Sequence, residues 1–218
     1  MLDKKVAVVI DYQNVHLTSH EIFDPYGNLQ QSLIDPIHFC EEIIRLKNSS
    51  NKDENVHFSL SRIEVYRGLP DPQDPRRNYA GNLAQKTHWE RESQNKYSCS
   101  ITYRPLKYKK TYRNNESTID FDTPPEEKGV DVLCALALVR LAKSQEYDVV
   151  ILASRDTDLI PALEEAQHEA RIKIEAVKWY DNAAAFTRGN LKIESFRMWT
   201  TSMKRDSYEK SIDNFPYS

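Results

Sequence analysis

Five consecutive apolar residues, Val149-Val150-Ile151-Leu152-Ala153, run without a polar break into Ser154-Arg155-Asp156-Thr157-Asp158. A short apolar run bounded by polar sequence marks a strand buried on both faces, and such strands belong to parallel sheets. Val6 to Ile10 repeats the arrangement and ends in Asp11-Tyr12-Gln13-Asn14. Parallel strands need long crossover connections, so helices must cover the sheet on its faces. The chain is thereby confined to an α/β architecture with carboxylates at the ends of two buried strands.

The rest of the pattern agrees. Asp35-Pro36 starts a helix to about Lys47, with Ile37, Phe39, Cys40, Ile43, Ile44 and Leu46 on its apolar face. Ile63 to Gly68 reads as a strand, with an extension from Val56 onward as an option, and Ser100 to Arg104 reads as another. A polar helix is expected from about Arg76 to Gln94, after the proline-rich stretch Leu69 to Pro75. Val130 to Ala142 is apolar nearly all round and predicts a buried helix. A helix over Leu159 to Ala170 and a strand over Ile172 to Val177 complete the core, with an edge strand over Ser195 to Thr200. Glu21 to Gln31 reads as irregular, and residues 107 to 127 carry no periodicity, which in a compact domain points to a functional loop. The expected organisation is a domain over residues 1–180 and a C-terminal extension, 181–218, packed on it.

Composition removes several alternatives. A net charge of -3 means that any nucleic-acid surface must be local. Three cysteines, without CxxC spacing, argue against a disulfide framework or zinc knuckle and for reduced thiols in the cytoplasm. The amino-terminal apolar run is too short for a signal or membrane segment, so no membrane partner is expected. The five glycines are isolated and cannot build GxGxxG or a P-loop.

Besides Asp11, Asp156 and Asp158, a further acid, Asp131, opens the apolar helix after Lys128-Gly129. Each has an ordinary structural explanation: acids cap helices and favour their N-termini, Asp11 fits a turn, and Asn14 fits an N-cap. Their shared placement favours another. Carboxyl ends of parallel strands lie side by side, and converging buried carboxylates call for a cation. Oxygen ligands suit Mg²⁺ or Mn²⁺.

Val8-Val9-Ile10-Asp11-Tyr12-Gln13-Asn14-Val15 resembles the first motif of NYN domains, a branch of the PIN-like nucleases. Lys128-Gly129-Val130-Asp131-Val132 is similar to their second, and Ile151 to Leu159 to their third, whose usual form is SGDSD. The resemblance runs from residue 6 to about 178. It implies a three-layer α/β sandwich with a mainly parallel, PIN-like sheet. It also implies an endoribonuclease, a hydrolase dependent on Mg²⁺ or Mn²⁺, with Asp11, Asp131, Asp156 and Asp158 as the catalytic and metal-binding acids. Asn14 becomes polar support. Arg155 stands where the family has glycine, and either neutralises the acids or holds a phosphate.

RNA, single-stranded or structured, is the expected partner, with a homodimer as a further option. Tyr103 to Arg113 interleaves tyrosines with cations, which suits a single strand whose bases stack. Tyr108, Lys107, Lys109 and Lys110 are its candidate contacts, and Arg67 a candidate at the rim. A solvated edge strand explains the same composition. His16 and His20, four apart, are spaced for a shared metal, but no HExxH accompanies them. A haloacid-dehalogenase-type phosphatase wants an acid where Gln13 stands, and a Toprim-like nuclease wants Glu at Asp11. The remaining rival is an RNA-binding or scaffold protein of the same fold whose catalysis Arg155 has weakened.

Overall fold

The computed structural model describes residues 2–113, 116–168, 172–184 and 190–217. Its centre is a six-stranded parallel sheet in the order β3-β2-β1-β6-β7-β8. These strands are β1 (Leu2–Asp11), β2 (Val56–Leu69), β3 (Ser98–Pro105), β6 (Val149–Ala153), β7 (Lys173–Trp179) and β8 (Trp199–Met203). Two further strands, β4 (Lys109–Arg113) and β5 (Glu116–Asp120), form a separate antiparallel pair.

Period-2 alternation assigns the two faces of the central strands. Val6, Val8, Ile10, Ile151 and Ala153 pack on one side with α1 (Tyr12–Phe23), α2 (Pro36–Ser50), α3 (Tyr79–Glu92) and α6 (Arg205–Ser211). Ala7, Val9, Val150 and Leu152 pack on the other with α4 (Val130–Ser144) and α5 (Ile160–Gln167). The result is a three-layer α/β sandwich. Strand order reverses between β1 and β6, and open parallel sheets bind ligands in the crevice at such a switch point. Register places Ile10 opposite Ala153, so Asp11 and Ser154 leave the sheet together.

Several expectations need correction. The helix α1 begins directly at Tyr12, and its N-cap is Asp11 rather than Asn14. The stretch 107–127 is not structureless: it contains the β4–β5 hairpin, where tertiary pairing supplies the order that a mixed polar sequence conceals. On α4, Val132 and Leu136 are exposed, so that helix is buried on one side only. The edge strand is β8, displaced toward the carboxyl terminus from the expected Ser195 to Thr200. The end of the expected helix at Ala170 lies outside the described residues. Segment 199–213 joins the main body, with β8 on β7 and Asp35 N–H donating to Ser211 O (2.8 Å). No helix among the described residues is long and apolar enough to cross a membrane.

Candidate active site

Asp11, Asn14, Asp131 and Asp156, from three separate segments, line one cavity of about 480 Å³ at the carboxyl edge of β1 and β6, with Gln13, Thr18, Glu127 and Lys128 also in its wall. Each of the first four is held in place by local structure. Asp11 Oδ1 accepts from Asn14 N–H (3.2 Å) as the cap of α1, and Oδ2 accepts from the Ser154 hydroxyl (3.1 Å). Ser154 Oγ in turn accepts from Asp156 N–H (3.1 Å), so one buried hydroxyl ties the β1 acid to the loop after β6. Asp156 Oδ1 caps a 3-10 turn, Thr157–Leu159, by accepting from Asp158 N–H (2.9 Å). Capping and convergence therefore coexist in the same residues.

Asp131 arrives differently. It lies in the first turn of α4, behind Gly129, whose φ of 75° is a left-handed conformation natural to glycine. That turn swings α4 off the incoming loop and brings its N-terminal end to the cavity.

The electrostatics record the crowding. Asp11 is pushed above the ordinary carboxylate range, chiefly by burial, with Asp156 and Asp131 adding like charge while Asn14 and Ser154 oppose the shift. Among the described residues, no three of these cavity acids bring carboxylate oxygens within 4.8 Å of one another. They surround a space rather than touch, which suits an ion that keeps several of its waters.

Two further lining residues, Glu127 and Gln13, were given no site role in the sequence reading. Glu127, just before Lys128-Gly129, accepts from Gly68 N–H, and a side chain at Gly68 would collide with Glu127 and Leu106. Burial first, then Asp11 and Asp131, push the Glu127 carboxyl up to about 7, against the pull of the Gly68 bond and Arg67. Gln13, with its amide nitrogen turned toward Glu127, donates to that carboxylate at 3.0 and 3.3 Å. The available signal was the acid adjoining the Lys-Gly pair.

Other expected residues fall elsewhere. Asp158 is exposed and does not line the cavity; its backbone N–H donates to Asp156 within the 3-10 turn. Arg155 donates its backbone N–H to Asn14 Oδ1 (2.9 Å) and lines a narrow crevice on the β7 side with Asn14 and Lys178. Lys178 is lowered by burial and then by the Arg155 charge. Asn14 thus stands between an acidic cavity and a cationic crevice.

Arg67 does not line the cavity, although its charge is felt at Glu127. Its guanidinium lies 4.5 Å from the centre of the Tyr12 ring and donates to Gln85 Oε1 (2.6 Å). Tyr108 is committed rather than open for stacking, donating to Asp74 (2.9 Å) and accepting from Asp71 N–H (3.1 Å). Of the tyrosines in that segment, Tyr112 is the exposed one, at 74%. Lys107, Lys109 and Lys110 are exposed, and Lys107 pairs through its backbone with Glu126, one residue from Glu127. The hairpin is therefore rooted beside the cavity. His16 and His20 share Ser32 Oγ (3.4 and 3.0 Å), and burial pushes His16 down to about 4, as expected of a neutral packing histidine.

A larger cavity, about 560 Å³, opens where β7 and β8 begin. Its one carboxylate, Glu175, is already matched by Lys47 at 2.6 Å, so it offers no comparable metal chemistry.

The family model of the NYN domain matches residues 5–188. No curated protein matches the chain. Among solved structures, a protein of unknown function from Vibrio parahaemolyticus is similar, at 17% identity and a TM-score of 0.47, covering 93% of this chain and 94% of the other.

Proposed function

Because the chain belongs to the NYN domain family, whose fold is typically that of a nuclease using divalent metals, we propose that it is a Mg²⁺- or Mn²⁺-dependent endoribonuclease working at the acidic cavity. The observation that carries this reading is the convergence of Asp11, Asp131 and Asp156 on one cavity from β1, α4 and the loop after β6. The donor set is all oxygen, which fits a hard cation and not a thiolate-seeking one. An ion bound there supplies an activated water and offsets charge developing on the phosphate.

The side chains divide the remaining work. Asp11, Asp131 and Asp156 hold the ion, while Ser154 and Asn14 fix their orientation. In the metal-free cavity burial and the neighbouring acids raise the Glu127 carboxyl, which suits it to exchange a proton with substrate or water. Asp158 adds negative charge from outside the lining. RNA phosphates are taken by Arg155 and Lys178 on one side of Asn14, and by Lys107, Lys109 and Lys110 of the hairpin near the cavity's Glu127 side. Three free thiols, Cys40, Cys99 and Cys134, accord with a reducing cytoplasm.

The rival, an RNA-binding protein with a disabled centre, required Arg155 to neutralise the acids. Its place in the β7-side crevice, outside the cavity lining, weighs against that. The test is cleavage of labelled structured and unstructured RNA by purified protein with Mg²⁺, Mn²⁺ or EDTA. Cleavage should need the ion and fall by over about a hundredfold in Asp156→Asn, since metal stabilisation is worth several kcal/mol. RNA binding without cleavage under every ion condition would favour the rival.

A further inference from the structure

Away from the acidic cavity, Asp35, His88 and Glu92 each offer one ligand atom, and these three atoms lie within 4.8 Å of one another. The trio is assembled by packing. His88 and Glu92 are four apart on α3 and so share a helical face, and Asp35 comes from the N-cap of α2.

The trio is also short of compensating cations. Asp35 is buried, 2% exposed, and both of its cap bonds, from Ile37 N–H (2.7 Å) and His38 N–H (3.1 Å), go to Oδ1; among the described residues Oδ2 takes part in no hydrogen bond. Among the described residues no lysine or arginine pairs with Asp35 or Glu92; the neighbouring charges felt at Asp35 are His38, which favours its carboxylate, and Glu92 and Asp213, which oppose it. Burying such charge without a cation is costly. The ligands are also preset. The His88 ring stacks on Phe215 (centroids 3.9 Å apart, 22°) with Tyr217 at its edge, and Glu92 is flanked by His38 at Oε1 (3.2 Å) and His88 at Oε2 (3.5 Å).

We propose that Asp35, His88 and Glu92 form a second metal site, selective for Zn²⁺ over Mg²⁺. One imidazole and two carboxylates make a ligand set suited to zinc, and the His38 ring, 3.2 Å from Glu92 Oε1, supports that ligand. The ion pins α3 and the C-terminal segment carrying Phe215 to the start of α2.

The test strips the full chain with chelator and titrates Zn²⁺ by calorimetry, with bound metal counted by mass spectrometry. One equivalent should bind to the parent and to Asp131→Asn, and binding should be lost in His88→Ala and Glu92→Gln. His38→Ala should weaken it by roughly tenfold or more. Because a variant can fail to fold, two readouts on the parent stand beside these: the d–d spectrum of Co²⁺ and the His88 ring ¹⁵N shifts with Zn²⁺. A low-coordinate Co²⁺ spectrum and a shifted His88 ring support the site. Zinc retained by both folded His88 and Glu92 variants, zinc lost only with Asp131→Asn, or an unmoved His88 ring would overturn it.

Discussion

A single hydroxyl shows how closely the centre depends on individual residues. Ser154 Oγ donates to Asp11 and accepts from the amide of Asp156, so it couples two acids 145 positions apart in a chain of 218. Glu127, raised first by burial and then by Asp11 and Asp131, feels the acids of the same cavity. Its folded pKa of about 7 lies above the ordinary glutamate value of 4.5, so between these the folded state binds more protons than the unfolded. Its contribution to stability is therefore full below pH 4.5 and is lost as pH rises through 7. Metal-free Glu127→Gln should lack this loss. Melting of the two proteins across pH 4 to 8 should show the variant gaining on the parent as pH rises, and a constant difference would refute the assignment.

At the scale of elements, the β4–β5 hairpin sits outside the main sheet while its root, Lys107 against Glu126, adjoins the cavity wall. A two-stranded ribbon alone is marginally stable in water. Here Tyr108, bonded to Asp74 and set edge-on to Phe121 (5.4 Å), anchors its base and leaves Lys109, Lys110 and Tyr112 exposed. Replacing Lys107, Lys109 and Lys110 together with Ala should weaken RNA binding and flatten its salt dependence by roughly two to three phosphate contacts. Folding should be little affected, because these side chains are exposed. Affinity unchanged across a salt titration would make the hairpin a spectator.

The Asp11 carboxylate is disfavoured chiefly by burial, with smaller like-charge contributions from Asp156 and Asp131, so a cation bound beside it should stabilise the whole molecule. A ligand that binds only the folded state raises stability by about 2.7 kcal/mol at a hundred times its dissociation constant. For a chain of this size that corresponds to a rise in melting temperature of roughly 5–11 °C. Mg²⁺ should produce such a rise in the parent, and Asp131→Asn should abolish it. A rise that survives the substitution would place the ion elsewhere.

The apolar runs, the acids at two strand ends and the acid opening an apolar helix are local properties, and they made the parallel sheet and the approach of Asp11, Asp131 and Asp156 to its carboxyl edge readable from sequence. Period and burial are written residue by residue, so they survive without knowledge of the fold. The hairpin, the commitment of Tyr108 to Asp74, the packing of Arg67 under Tyr12 and the exposure of Asp158 were decided only in three dimensions. So was the meeting of Asp35 with His88 and Glu92. Each of these depends on which groups, distant in the chain, come within a few ångströms of one another, and a polar side chain with several available partners takes whichever one the packed layers present.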